Sequence, residues 1–159
     1  MLIDSQRFGP LEIPENKVIN MIRPILGFEK LTKFCLLERE EFWPFIWMQS
    51  VEDPTVAFIV ANPCLFQNDY RIEINLNEIS EIEPGEPELI ETYVIASVPD
   101  EWTKMTVNLQ GPLLINTANN KGKQLVLMNT EYKIQHTVFD NEKITTTVTE
   151  EPTEEPVGV

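Results

Sequence analysis

The apolar positions of this chain fall in short runs of four to eight residues, each broken by Pro, Gly, Asn or Asp. YRIEINL, residues 70–76, alternates strictly: Tyr70, Ile72, Ile74 and Leu76 point one way, Arg71, Glu73 and Asn75 the other. Period two predicts a half-buried strand there. FIWMQS and VAFIVA flank VEDPT, where Asp53-Pro54 favours a turn, so residues 45–61 predict a hairpin. A second hairpin is expected over 113–129, centred on Asn-Asn-Lys-Gly, with Gly122 supplying the positive φ. FCLLE (34–38), TYVIASV (92–98) and KMTVNL (104–109) add strands, and LIDSQRF and LEI flank a reversal at Gly9-Pro10. Helical signal is weak. NEISEI (77–82) has Asn77 as an N-cap and Pro84-Gly85 as a stop, enough for one or two turns, and a further turn is possible after Pro87. The expected class is all-β or nearly so: a small antiparallel β-barrel-like domain of about ten short strands with one or two short helical turns.

The stretch NLQGPLLIN, 108–116, turns on Gly111 and Pro112 before an apolar strand. A positive φ at Gly111 and the missing donor of Pro112 together predict a strand corner. Asn108 and Gln110 either cap that corner or face a partner; capping is the favoured role.

Beyond residue 140 the pattern stops. Residues 141–159 are rich in Thr, Glu and Pro and lack aromatics. Residues 144–149 are β-branched enough for a strand at an available edge, and from Glu150 onward a disordered acidic tail is expected. The domain is therefore placed at 1–140. No internal repeat is seen, no run approaches the roughly 20 apolar residues of a membrane span, and the first residues lack the features of a signal peptide.

Charge changes the picture most. The 159 residues carry 26 acidic and 12 basic groups, a net charge of −14. Residues 69–101 hold ten acids against Arg71 alone, a net of −9. Glu78, Glu81, Glu83, Glu86, Glu88 and Glu91 cluster around Pro84-Gly85. Such a chain is expected to repel nucleic acid; the 69–101 run reads first as a solvated face, and its charge permits long-range steering of a basic protein.

Candidate chemistry is sparse. His136 is the one histidine and reads as a partly exposed polar residue. Cys35 and Cys64 sit in apolar strings and read as buried, reduced thiols. No CxxC, P-loop, GxGxxG or EF-hand loop is present, so neither a metal nor a cofactor is expected. An enzyme is poorly supported. The alternative to a binding protein is a small β-barrel that binds or processes a small molecule.

GFEKLTKFCLLE, PFIWMQSVEDPTVAFIVANPCLFQNDY, NLQGPLLINTANNKGKQLVL and NTEYKIQH, in that order, resemble the flagellar assembly factor FliW family from about Ile3 to His136. The acidic Thr/Pro tail stands as an extension. The resemblance implies a non-enzymatic cytoplasmic binder. It would bind newly made flagellin and antagonise the RNA-binding translational repressor CsrA, coupling flagellin synthesis to secretion. The acidic cluster is then the expected repressor surface. A groove for an apolar flagellin helix needs exposed aromatics, for which Phe45, Trp47, Phe66 and Tyr70 are candidates, with Asn108 and Gln110 beside them.

Overall fold

A computed structural model describes residues 1–139 except 74, 75, 84, 86–88 and 129. The expected tail, 141–159, lies outside them.

Seven strands close a barrel: β3 (Ile19–Arg23), β4 (Lys33–Leu37), β5 (Ile46–Ser50), β6 (Ala57–Ala61), β7 (Ile90–Ser97), β9 (Leu113–Asn116) and β10 (Lys121–Gln124). Around the barrel the order is β7-β6-β5-β4-β3-β10-β9, and β9 returns to β7 through Ile90–Tyr93. Closure removes the sheet edges that would otherwise need protection. Two short strands extend the sheet from the far end of β7: β8 (Thr106–Val107) pairs with Ala96 and Ser97, and β11 (His136–Thr137) pairs with β8. The expected β class and the barrel both hold. One pairing departs from the antiparallel expectation: β3 and β10 run parallel, with a register shift between Gly122 and Lys123.

Alternation sorts the side chains. Phe34, Met48, Val60, Tyr93, Leu113 and Ile115 fill the interior with Ile19 and Met21. Their neighbours Cys35, Leu37 and Trp47 point outward, yet they are buried too. The hairpin β1 (Leu2–Ser5) and β2 (Gly9–Glu12) covers them, packing Ile3 and Phe8 on that outer face. Arg7 stacks over the Trp47 ring at 4.3 Å and Phe8 meets it edge-on. On the opposite flank, Ile82 and Leu125 cover the outward-facing Leu114.

Three local expectations are corrected. YRIE does not join a sheet: residues 70–73 keep the alternation, Tyr70 buried and Arg71 and Glu73 exposed, but pair with no strand, and Ile74 and Asn75 lie outside the described residues. The chain turns instead into a helix, α1 (Leu76–Ser80), which includes Asn77 rather than being capped by it. Burial against side chains from elsewhere supports the alternation without a ladder. In the second hairpin, which ends at Gln124, the positive φ belongs to Asn120, at 58°. Asparagine tolerates that conformation.

Gly122 serves a different purpose. It lies within β10, and a Cβ there would sit 2.9 Å from the Met21 sulfur and 3.2 Å from the Leu114 carbonyl oxygen. Glycine is needed for the close approach of the interior, not for the turn. Gly122→Ala is expected to cost about 1–2 kcal/mol, because the backbone carbonyl cannot retreat as the methionine can. Thermal unfolding followed by circular dichroism checks this, and an unchanged Tm would refute it.

Candidate functional site

The chain leaves β6 at Asn62, whose Oδ1 accepts the Cys64 N–H at 2.9 Å. With Pro63 at its start, this sets a 3-10 turn over Pro63–Leu65. Residues 66–73 then cross the outside of the barrel. Tyr70 anchors that crossing: its hydroxyl donates to the Leu109 carbonyl at 2.7 Å, and its ring lies 4.5 Å from that of Tyr132. The Tyr132 hydroxyl in turn accepts the Arg71 N–H at 2.8 Å.

Residues 70–73 thereby form a wall between two hollows, and the period-two pattern assigns each side chain to a side. Tyr70 and Ile72 face a cavity of ≈ 570 Å³ lined also by Ile79, Ile90, Leu114 and Cys64, with residues 91–93 of β7 along its side. Arg71 and Glu73 face a second hollow of ≈ 450 Å³ beside Val126 and Met128. Beside the larger cavity, on the inward face of β7, the Tyr93 hydroxyl donates to Glu91 Oε1 at 2.6 Å. Burial, and then the adjoining carboxylate, push the Tyr93 hydroxyl well above the usual tyrosine range, so it stays a donor. No Lys, Arg or His lines this cavity.

The expected acidic surface is largely self-neutralised where it is described. Glu81 Oε2 accepts from Arg23 Nη2 at 2.5 Å, and Glu81 Oε1 from Lys123 Nζ at 2.6 Å. Those hydrogen bonds, Arg23's first, hold the Glu81 carboxyl down to about 2. Glu83 pairs with Lys121, and Lys123 Nζ also donates to the Glu78 carbonyl at 2.7 Å. Glu91 stands apart, accepting from the Tyr93 hydroxyl. Glu86 and Glu88 lie outside the described residues.

The aromatic candidates divide. Trp47 and Tyr70 are 7% and 8% exposed and belong to the core, so neither offers a free surface. Phe45 and Phe66 are half-buried with ring centroids 6.2 Å apart. Trp43, at 78% exposure, is the more available ring.

At the NLQGP corner, Asn108 Oδ1 accepts the N–H groups of Gln110 and Gly111, both at 3.0 Å: the amide caps the turn. Gly111 does not adopt positive φ. A Cβ there would meet Asn108 Nδ2 at 2.9 Å and Gln124 Nε2 at 3.0 Å, so a larger residue would press on the two amides that hold the corner. Gln110 uses its backbone carbonyl to hold the Leu127 N–H at 2.8 Å.

His136 is half-buried in β11, opposite Val107. Both cysteines are free thiols; Cys35 is buried, and burial pushes it up to about 11, whereas Cys64 is exposed, against expectation. Its apolar neighbours explain the misreading: Pro63 turns inward while Cys64 and Leu65 project outward from the 3-10 turn. Among the described residues, no group of three or more His, Cys, Asp or Glu could hold a metal ion, and no helix is long and apolar enough to cross a membrane.

Sequence reasoning missed the cation side of the acidic cluster and the bringing together of Tyr70 and Ile90 in one cavity. Arg23 and Lys123 are 58 and 42 residues from Glu81, and no local pattern announces such pairs.

A family model described as FliW protein matches residues 2–138. The flagellar assembly factor FliW of Alkaliphilus metalliredigens is 36% identical over 141 residues, covering 88% of this chain and 87% of that protein. That of Thermoanaerobacter pseudethanolicus is 38% identical over 144 residues, covering 90% and 96%. A crystal structure of the flagellar assembly factor FliW superposes with a TM-score of 0.83 at 32% identity, covering 89% of this chain and 99% of that one.

Proposed function

The chain belongs to the FliW family of flagellar assembly factors, and from that membership we propose that it binds flagellin and antagonises the translational repressor CsrA. It acts in the cytoplasm, by binding rather than catalysis. The two partners compete for it: when flagellin is secreted, the protein is freed to withdraw the repressor from flagellin messages. Family membership carries the reading; two features of the chain agree with it. A net charge of −14 suits a basic RNA-binding partner and disfavours direct contact with nucleic acid. Half-buried Phe45 and Phe66 and exposed Trp43 offer apolar contact area for an amphipathic helix.

The test is a competition experiment with purified flagellin and purified CsrA. Each is expected to bind on its own, and flagellin should displace the repressor. Repressor association should slow steeply as salt rises, because exposed charges act mainly through steering. Flagellin binding should depend on salt much less. If neither protein binds, or if both bind at once without affecting each other, the proposal fails.

A further inference from the structure

Two guanidinium groups on the β1–β2 face have no carboxylate. Arg7 lies 4.3 Å over the Trp47 ring, and Arg39 lies 5.0 Å over the Phe8 ring. The two rings meet edge-on with centroids 5.7 Å apart, and Phe42 also meets Trp47 edge-on at 5.5 Å. Both arginines are exposed, and among the described residues neither makes an ion pair or a side-chain hydrogen bond. Glu38, Glu40 and Glu41 flank Arg39 in the chain, but none of them pairs with it. Stacking occupies the flat face of a guanidinium and leaves its N–H edge able to hold a carboxylate by two hydrogen bonds. The rings therefore orient two cations that the domain itself does not neutralise, whereas Arg23 holds Glu81.

We propose that the acidic end of this same chain, residues 150–155, docks on Arg7 and Arg39. Glu150, Glu151, Glu154 and Glu155 offer one pair of carboxylates to each guanidinium, and residues 150–159 contain no base. Charge elsewhere directs them to this face. The −9 of residues 69–101 is carried where α1 and Ile82 cover the flank of the barrel opposite the hairpin. The rest of residues 1–139 holds ten acids and ten bases. An acidic segment is repelled from the first flank and not from the second. The tether also fits. One row of paired residues runs from His136 through Val107, Ala96 and Ile59 to Trp47. Four strand spacings put Trp47 roughly 19 Å from His136. Glu150 follows His136 by fourteen residues, which span up to roughly 46 Å when extended. A segment tethered at that range meets the patch at an effective concentration on the order of millimolar, enough for contacts that would be weak between separate molecules. The proposal goes beyond the partner-binding role and does not depend on it.

Paramagnetic relaxation in the full chain tests this. A nitroxide is attached at Thr153→Cys in a Cys64→Ser background, since Cys64 is the exposed thiol and Cys35 is buried. At low salt the amide signals of residues 7–9 and 39–42 are expected to lose most of their intensity relative to the reduced label, and those of α1 to keep theirs. The loss should disappear at high salt, where the Debye length shrinks to about 3 Å. It should also disappear when Glu150, Glu151, Glu154 and Glu155 are all changed to Gln, and in Arg7→Gln/Arg39→Gln. If the arginine variant fails to fold, the tail variant and the salt series decide, because neither touches the domain's packing. Absence of the loss at low salt overturns the proposal, as does a loss that survives neutralisation of the four glutamates. A loss seen only when label and isotope are on different copies assigns the contact to a second molecule and overturns it too.

Discussion

Replacing Gln49 with Leu is expected to lower stability by about 3 kcal/mol, among the largest effects of any single polar substitution in this molecule. Gln49 is fully buried on β5. Its Oε1 accepts from the Ser5 hydroxyl at 2.7 Å, and its Nε2 donates to the carbonyls of Ser50 and Val56 at 3.0 and 3.2 Å. One amide thus ties the β1–β2 hairpin to the barrel and holds the β5–β6 turn. Ser50 completes that turn by accepting the N–H groups of Glu52 and Asp53. Leucine fills the volume but strips the buried Ser5 hydroxyl of its acceptor and the Ser50 carbonyl of a donor, while Val56 keeps only the Ser50 N–H at 2.9 Å; a stranded buried group costs about 1–3 kcal/mol. Some of that is recovered by relaxation and water. Urea unfolding at neutral pH gives the value. Adding Ser5→Ala should restore part of the loss, because removing both partners of a buried bond costs less than stranding one. Hydrogen exchange should quicken first in residues 2–12. A loss below about 1 kcal/mol would show that the amide is not what joins these elements.

Lys123→Ala is the second substitution with a large expected cost, about 3 kcal/mol. The lysine is 5% exposed, and its ammonium bridges the Glu78 carbonyl at the helix and the Glu81 carboxylate. Truncation removes a buried stem, takes the Lys123 donor from the Glu78 carbonyl and from Glu81, and frees α1 from β10. Glu81→Gln should also lower Tm at neutral pH, since a buried ammonium then lacks its counter-charge. The pH dependence distinguishes this charge effect from simple packing. The ordinary carboxyl value of 4.5 falls to about 2 in the folded chain. A depressed folded value means the stabilisation is full above the unfolded value and is lost as pH falls through the folded one. The Tm gap between wild type and Glu81→Gln should therefore be constant from pH 7 to about pH 5 and close toward pH 2. A gap independent of pH would assign the effect to shape alone.

The strands that sequence reading located are those whose two faces meet different surroundings and whose turns carry strong local chemistry. The 45–61 hairpin was legible because Asp53-Pro54 punctuates it: Asp53 Oδ1 accepts the Thr55 N–H at 2.9 Å. β4 and β7 were legible because they are apolar runs between breakers. YRIE misled because burial alone produces alternation; whether a ladder exists depends on what runs alongside, and among the described residues no strand pairs with it. Gly122 and Gly111 misled because glycine serves close approach as well as positive φ, and the sequence does not distinguish these uses. The acidic cluster was visible as charge but not as pairs, because Arg23, Lys121 and Lys123 reach it only after the barrel closes. In the same way, Trp47 and Phe45 are two residues apart and point the same way on an ideal strand. The β1–β2 hairpin buries the first, while the second lies before β5 begins.

The parallel joint between β3 and β10 has a consequence for biosynthesis. Strands β3 to β6 pair each with the next as they are made, and β7 adds to β6. The barrel cannot shut, however, until Lys121 reaches Asn20, about a hundred residues back along the chain. A chain still emerging from the ribosome short of residue 113 has β3 and β7 open on one side each, two hydrogen-bonding rims that invite pairing with other chains. The last strand pair is therefore the latch, and the interval before it engages is when a nascent copy is most exposed to aggregation and to degradation.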